Sequence, residues 1–493
     1  MDKLDMIIRG GTVVFPDRVE HCDIGIRDGC IVQIGSLDEI DASAQHTVVD
    51  ATGLHVVAGM IDAHVHLNEP GLGDWEGFVT GSSALAAGGC TMYMDMPLNG
   101  IPPTVTTAAL QQKVAAAQNR TYIDYACWGG LVPGKLEHLQ ALSDAGVCGF
   151  KAFMSAPGDP DEEAFRNVDD VTLLEGMRII ARTGRILALH AEHEPTVSAL
   201  TAERLAAGQT TPADYTSSRP IAAEIAAVEQ ALSYARQTGC RLHFVHISSA
   251  EAVQIITQAK GEGMDVTLET CPHYLAMTDQ ALEHIGATAK CAPPLRNESE
   301  QEQLWQCIAQ EQIDMITSDH SPCPTELKSN AAHMFDAWGG ISGAQHSLEL
   351  MLDEGHLRRN VPLPLLTRLL SLQPAQRFGL LPYKGVIAEG AHADLVLVNL
   401  QQGYTIEAEH LYYRHKHSPY VGRKLNCRVE QTISRGTIVY NVQHGMIGQP
   451  QGQLISIPAS QPKDTQEYHL HHQNEHQVVQ STYSATSLQY NQK

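Results

Sequence analysis

His64 and His66 stand two residues apart in an apolar run, and Asp62 lies two residues before them. In a strand, residues of one parity share a face, so all three point the same way. Two further histidines close apolar runs: His190 ends Ile186-Leu187-Ala188-Leu189 and His246 ends Leu242-His243-Phe244-Val245. Asp319 follows Met315-Ile316-Thr317-Ser318, and Lys151 lies inside Gly149-Phe150-Lys151-Ala152-Phe153-Met154. Any one of these alone reads as a satisfied core or rim residue. Together they supply imidazole nitrogens and a carboxylate, the donors that a zinc-like ion takes. A lysine within an apolar strand is costly unless it is neutral or paired. The cysteines form no Cys-x-x-Cys pair, which excludes a cysteine-rich structural zinc site.

These residues need elements that bring them together. Eight strand-like runs cover Val57 to Val65, Thr91 to Met96, Tyr122 to Trp128, Gly149 to Met154, Ile186 to Leu189, Arg241 to Val245, Asp265 to Glu269 and Ile313 to Thr317. Helical stretches such as Ala222 to Gln237 and Ala250 to Gly261 separate them. Strands alternating with helices imply parallel β/α units, and eight of them predict an α/β fold, a closed (β/α)8 TIM barrel. An open doubly wound sheet wants a glycine-rich phosphate turn after its first strand, where this chain has His64-Val65-His66. The candidate histidines and Asp319 fall at C-terminal strand ends, where barrel sites are built, and Lys151 lies inside its strand. By parity His243 should face away from them. His193 is expected in a loop, His320 should point elsewhere, and His273 sits in a loop that could line a pocket.

Both chain ends are β-rich. Asp28-Gly29 between apolar runs is a hairpin signal, and Ala393 to Val398 and Thr432 to Tyr440 are strand-like. The expected organisation is 1–56 and 386–446 as two parts of one small β-sandwich domain, 57–385 as the barrel, and 447–493 as a disordered tail. That tail is rich in Gln, His, Ser and Tyr and poor in apolar clusters.

The chain has 493 residues with 33 basic and 56 acidic side chains, a net charge of −23. A general positive field is absent, so neither nucleic acid nor anionic membrane is an expected partner. No apolar run reaches the ~18 residues of a membrane helix. The N-terminus lacks the basic and apolar regions of a signal peptide. Eleven scattered cysteines read as reduced thiols, so a cytoplasmic location is expected.

Gly59-Met60-Ile61-Asp62-Ala63-His64-Val65-His66, followed by Lys151, His190, His246 and Asp319, resembles the cyclic amidohydrolases of the amidohydrolase superfamily. Within that group, the runs His66-Leu67-Asn68-Glu69-Pro70-Gly71, Trp75-Glu76-Gly77-Phe78 and Asp95-Met96-Pro97-Leu98-Asn99 are similar to the allantoinase branch. The resemblance implies two divalent metal ions, zinc foremost, with cobalt, manganese or iron as alternatives. It places one on His64 and His66 and one on His190 and His246. Lys151, carboxylated, would bridge them, and Asp319 would be both ligand and general base. The implied substrate is a small cyclic ureide. Dihydroorotases resemble this pattern too, but hold a substrate carboxylate with an arginine where this chain has Asn68. A neutral amide suits an uncharged ureide better, unless Arg296 does the holding. Hydantoinase or dihydropyrimidinase activity and a non-catalytic assembly protein are the other readings. Analogy implies a homo-oligomer, a tetramer.

Overall fold

Each apolar run expected as an inner strand contains one. The computed structural model describes residues 3–37, 46–158 and 165–457. The inner strands are β1 (Met60–Val65), β2 (Cys90–Asp95), β3 (Asp124–Cys127), β4 (Phe150–Phe153), β5 (Ile186–His190), β6 (Arg241–Phe244), β7 (Val266–Thr270) and β8 (Met315–Ile316). All pair in parallel, β1-β2-β3 in one ladder and β4 through β8 in another that begins at Gly129–Gly130. Backbone bonds join the two ladders. Cys148 N donates to Cys127 O at 2.9 Å, and His66 N donates to His320 O at 2.7 Å. Helices such as Phe78–Ala87, Asp170–Thr183, Ile221–Thr238 and Ala250–Gly261 connect successive strands. The architecture is α/β with parallel sheet.

Both chain ends contribute strands to one nine-stranded sheet. At its centre Leu395–Asn399 runs antiparallel to His55–Ala58, which itself pairs with Met6–Val14. Ile8, Val13, Ile24, Val56, Leu395 and Ile433 form its core. The hairpin at Asp28-Gly29 has φ of 51° and 75°, the left-handed pair that a two-residue turn requires.

The run from Val57 to Val65 is not one strand. It breaks at Gly59: His55–Ala58 belongs to the terminal sheet and Met60–Val65 is β1. A Cβ at Gly59 would lie 2.2 Å from Thr91 Oγ1, so no side chain fits where the chain changes sheets. The terminal sheet thus extends to Ala58, two residues past the expected boundary. A buried ion cluster ties it to the parallel strands: Lys384 Nζ lies 2.8 Å from Asp124 Oδ2 and 2.7 Å from Asp394 Oδ2.

The expected tail is also corrected in part. Residues 451–457 pack along β3. Gly452 N donates to Thr121 O at 2.8 Å, Tyr125 N to Gln453 O at 2.9 Å, and Ile455 N to Tyr125 O at 2.7 Å. Arg185 donates to Ile457 O at 2.6 Å, and Ile457 is buried in the cluster that holds Trp128, Ala188 and Phe378. The rest of the expected tail, from 458, lies outside the described residues. If this strap is part of the folded unit, Ile457→Ala should cost about 2 kcal/mol of stability, read as a lowered urea midpoint.

Candidate metal centre

Of the expected ligands, the histidines and Asp319 lie at or just beyond the C-terminal ends of their strands, while Lys151 is the second residue of β4. His64 is the penultimate residue of β1 and His190 the last of β5. His246 comes two residues after β6, with φ of 41°, and Asp319 three residues after β8, with φ of 45°. Left-handed backbone at a residue with a side chain is strained and persists where surroundings enforce it. At Asp319 part of that enforcement comes from Asp62. Its Oδ1 accepts the backbone N–H of Ser318 at 3.1 Å and that of His64 at 3.3 Å, so one carboxylate ties two ligand segments together. Burial pushes the Asp62 carboxyl up to about 6, against these hydrogen bonds.

His64 Nε2 and His66 Nε2 approach the same Asp319 oxygen, at 3.2 Å and 3.5 Å. These three side chains offer ligand atoms within 4.8 Å of one another. Beside them His190 Nδ1 faces His246 Nε2 at 3.0 Å, and the ring centres of His64 and His246 are 5.6 Å apart. Burial pushes His66 down to about 4 and His246 well below its ordinary value, so both rings are neutral, the form that ligates metal. Burial works against the Asp319 carboxylate, yet His64 and His66 hold it down at about 2.

Lys151 is fully buried on β4, with its Nζ 5.0 Å from the Phe153 ring centre and without a hydrogen-bond partner among the described residues. Burial lowers its amine to about 7, while Asp319 and Glu269 oppose the shift. His66, His190 and His246 all sense its charge. An unpartnered buried amine among four imidazoles and a carboxylate fits a cation-binding cluster better than a core. The donor set suits a divalent ion.

A second layer of carboxylates, not foreseen from the sequence, orients these rings. Glu269 Oε1 lies 2.5 Å from His64 Nδ1 and its Oε2 lies 3.0 Å from His243 Nε2. His243 is therefore buried in the network, contrary to the expectation that it faces away from the site; its Nδ1 meets Thr267 Oγ1 at 2.9 Å. Glu192 Oε2 lies 2.8 Å from His190 Nε2 and also pairs with Arg219. Despite its burial, Arg219 and His190 hold the Glu192 carboxyl down at about 2. The available signal was a glutamate at the C-terminal end of an apolar strand for Glu269, and a glutamate two residues after His190 for Glu192.

The cluster forms the floor of a cavity of about 500 Å³. Its other walls carry Asn99, Phe153, Tyr215, Arg219, Lys290 and the segment from Phe335 to Gly339. Asn68, His273 and Arg296 do not line it. The Asn68 amide donates to Pro322 O at 3.3 Å, and its φ of 66° marks a loop-shaping residue. Arg296 donates to Ser248 Oγ at 3.0 Å and Arg219 O at 2.6 Å, behind the wall. His273 is fully buried against Tyr274, and burial pushes its ring down to about 4.

Imidazoles and an aspartate at the ends of parallel strands, over a buried lysine, are joined here by a sheet made from both chain ends. The chain belongs to the amidohydrolase family, whose profile matches residues 55–439. It is similar to the allantoinase of Rubrobacter xylanophilus, 46% identical over 459 residues, 93% of this chain and 97% of that one. The allantoinase of Deinococcus radiodurans is 45% identical over 453 residues, 92% of this chain and 98% of that one. Among solved structures, the L-hydantoinase (dihydropyrimidinase) from Arthrobacter aurescens superposes with a TM-score of 0.87 at 34% identity, covering 92% of this chain and 100% of that one.

If Glu269 fixes the His64 ring, Glu269→Ala should weaken metal binding roughly 10- to 100-fold, read by titrating metal-free protein.

Proposed function

We propose that this chain opens the hydantoin ring of allantoin by hydrolysis, giving allantoate, in purine-ureide degradation. The observation that carries the chemistry is the Asp319 carboxylate shared by His64 and His66 at the floor of one cavity, with the buried Lys151 close enough to feel its charge. The substrate is supported by allantoinases that match nearly the whole chain. The eight parallel strands and their helices are read as a closed (β/α)8 barrel, flanked by the terminal sheet as a β-sandwich.

His64 and His66 would hold one divalent ion and His190 and His246 a second, zinc or else cobalt, manganese or iron. When bound, such ions lower the pKa of water and polarise an amide carbonyl. Lys151 suits the bridging role because burial favours its neutral amine. That amine adds to carbon dioxide: a nitrogen–carbon bond forms, a proton leaves to water, and an anionic carbamate remains. Asp319, kept ionised, accepts the proton of the attacking water and returns it to the departing ring nitrogen. Glu269 and Glu192 hold the His64 and His190 rings in place throughout.

A homo-oligomer, a tetramer by analogy with relatives, completes the reading. Among the described residues no helix is long and apolar enough to cross a membrane. All cysteines are free, which supports a reducing, cytoplasmic setting.

Metal-loaded protein should carry about two ions per chain. Offered allantoin, hydantoin, dihydrouracil and dihydroorotate in parallel, it should open allantoin at least ~10-fold faster than the others, a margin of about 1.4 kcal/mol in the barrier. A preference for hydantoin or dihydrouracil would assign the chain to the hydantoinase side. No ring opening by fully loaded protein would overturn the proposal in favour of an assembly role. Asp319→Asn with metals retained should lower kcat by about 10²- to 10⁴-fold.

A further inference from the structure

Lys290 and Lys328 are buried lysines whose Nζ atoms bond to backbone carbonyls. Lys328 Nζ sits among four carbonyl oxygens, those of Ala287 at 2.8 Å, Lys290 at 3.3 Å, Trp338 at 2.8 Å and Gly340 at 2.7 Å. Lys290 Nζ donates to Phe335 O at 3.0 Å and Ala337 O at 2.5 Å, and lies 4.6 Å from the centre of the Tyr215 ring. Both lysines thus pin one segment, 335–340, most of which lines the cavity away from its histidine floor. They differ in one respect: Lys290 itself lines the cavity and Lys328 does not.

An ammonium carries three hydrogens, and two carbonyls account for two of those on Lys290. Burial, Lys328 and Arg219 together push its amine down to about 7, so its surroundings undercompensate the charge. The Asp336 carboxylate on the same cavity wall opposes that shift, and an ammonium so placed is best completed by an electron-rich acceptor on the ligand. Allantoin carries a ureido arm with such a carbonyl; unsubstituted hydantoin has the same ring without the arm. We infer that Lys290 is a specificity-determining residue, donating its third hydrogen to the carbonyl of the ureido arm while the ring rests on the histidine floor. This inference rests on the activity proposed above.

The test compares wild-type holoenzyme with K290M on allantoin and hydantoin, with hydantoin measured as a competitor where its turnover is slow. K290M should raise the KM for allantoin about 10-fold, the worth of one charge-assisted hydrogen bond, with kcat nearly kept. The hydantoin constant should move much less, so the allantoin-to-hydantoin ratio falls. K328M, which loosens the same segment from outside the cavity, should move both rings together. Should K290M fail to fold, K290Q keeps N–H donors for Phe335 and Ala337 and reads the same ratio. An unchanged ratio in an active enzyme overturns the inference alone. A wild-type protein that opens no allantoin removes the proposed activity and this inference with it.

Discussion

The contact between Glu269 and His64 is the constraint on which the rest of the site depends. A buried imidazole with both nitrogens free can turn either edge to its neighbours. Committing Nδ1 to a carboxylate at 2.5 Å leaves Nε2 as the only edge facing Asp319. The carboxylate in turn is costly to bury alone, and His243 takes its other oxygen at 3.0 Å. The same sequence of compensation recurs around His190. Glu192 fixes its Nε2, Arg219 neutralises Glu192, and the freed Nδ1 faces His246. His64 and His190 are thus each aimed by a carboxylate in the layer behind them. Removing one partner from such a buried pair costs about 3–5 kcal/mol, because the survivor is left charged and unpaired. That asymmetry makes the arrangement cooperative.

Much of the floor was legible in the sequence because strand ends are easy to find. Apolar runs ending in a polar residue marked His64, His190, His246 and Asp319, and all four converge. Parity served less well. It assumes that the strand continues to the residue being counted, and β6 stops at Phe244. His246 lies beyond it on left-handed backbone, so its orientation is unrelated to that of His243, and counting back three positions gave the wrong environment for His243.

The second layer was not legible, because its pairings are invisible along the chain. His64 and Glu269 are 205 residues apart. A lone glutamate in an apolar strand announces that it needs a partner without saying which. Asn68 shows the converse limit: its place in a motif suggested substrate contact, while its side chain bonds to the neighbouring loop at Pro322. The segment 451–457 was hidden by averaging. The composition of the whole stretch from 447 is polar, and it masks Ile455 and Ile457, which pack against the lower cluster. Two apolar residues in a few are enough when a groove and backbone partners are already there.

The terminal sheet is part of the same positional chain. β1 begins one residue after the sheet strand His55–Ala58, and Gly59, the only residue between them, donates its N–H to Asp394 O at 2.9 Å. Four residues separate that anchor from His64, too few to absorb a shift in how the sheet docks. Asp394 also holds Lys384 and, through its other oxygen, accepts the backbone N–H of Arg435 at 2.8 Å. One aspartate therefore fixes the strand start, the buried cation and the return hairpin. A displacement of the sheet would be passed along β1 to the ring that Glu269 must reach. The sheet built from both chain ends sets the register of the first ligand strand, and the carboxylate layer then turns that register into the aim of a single nitrogen.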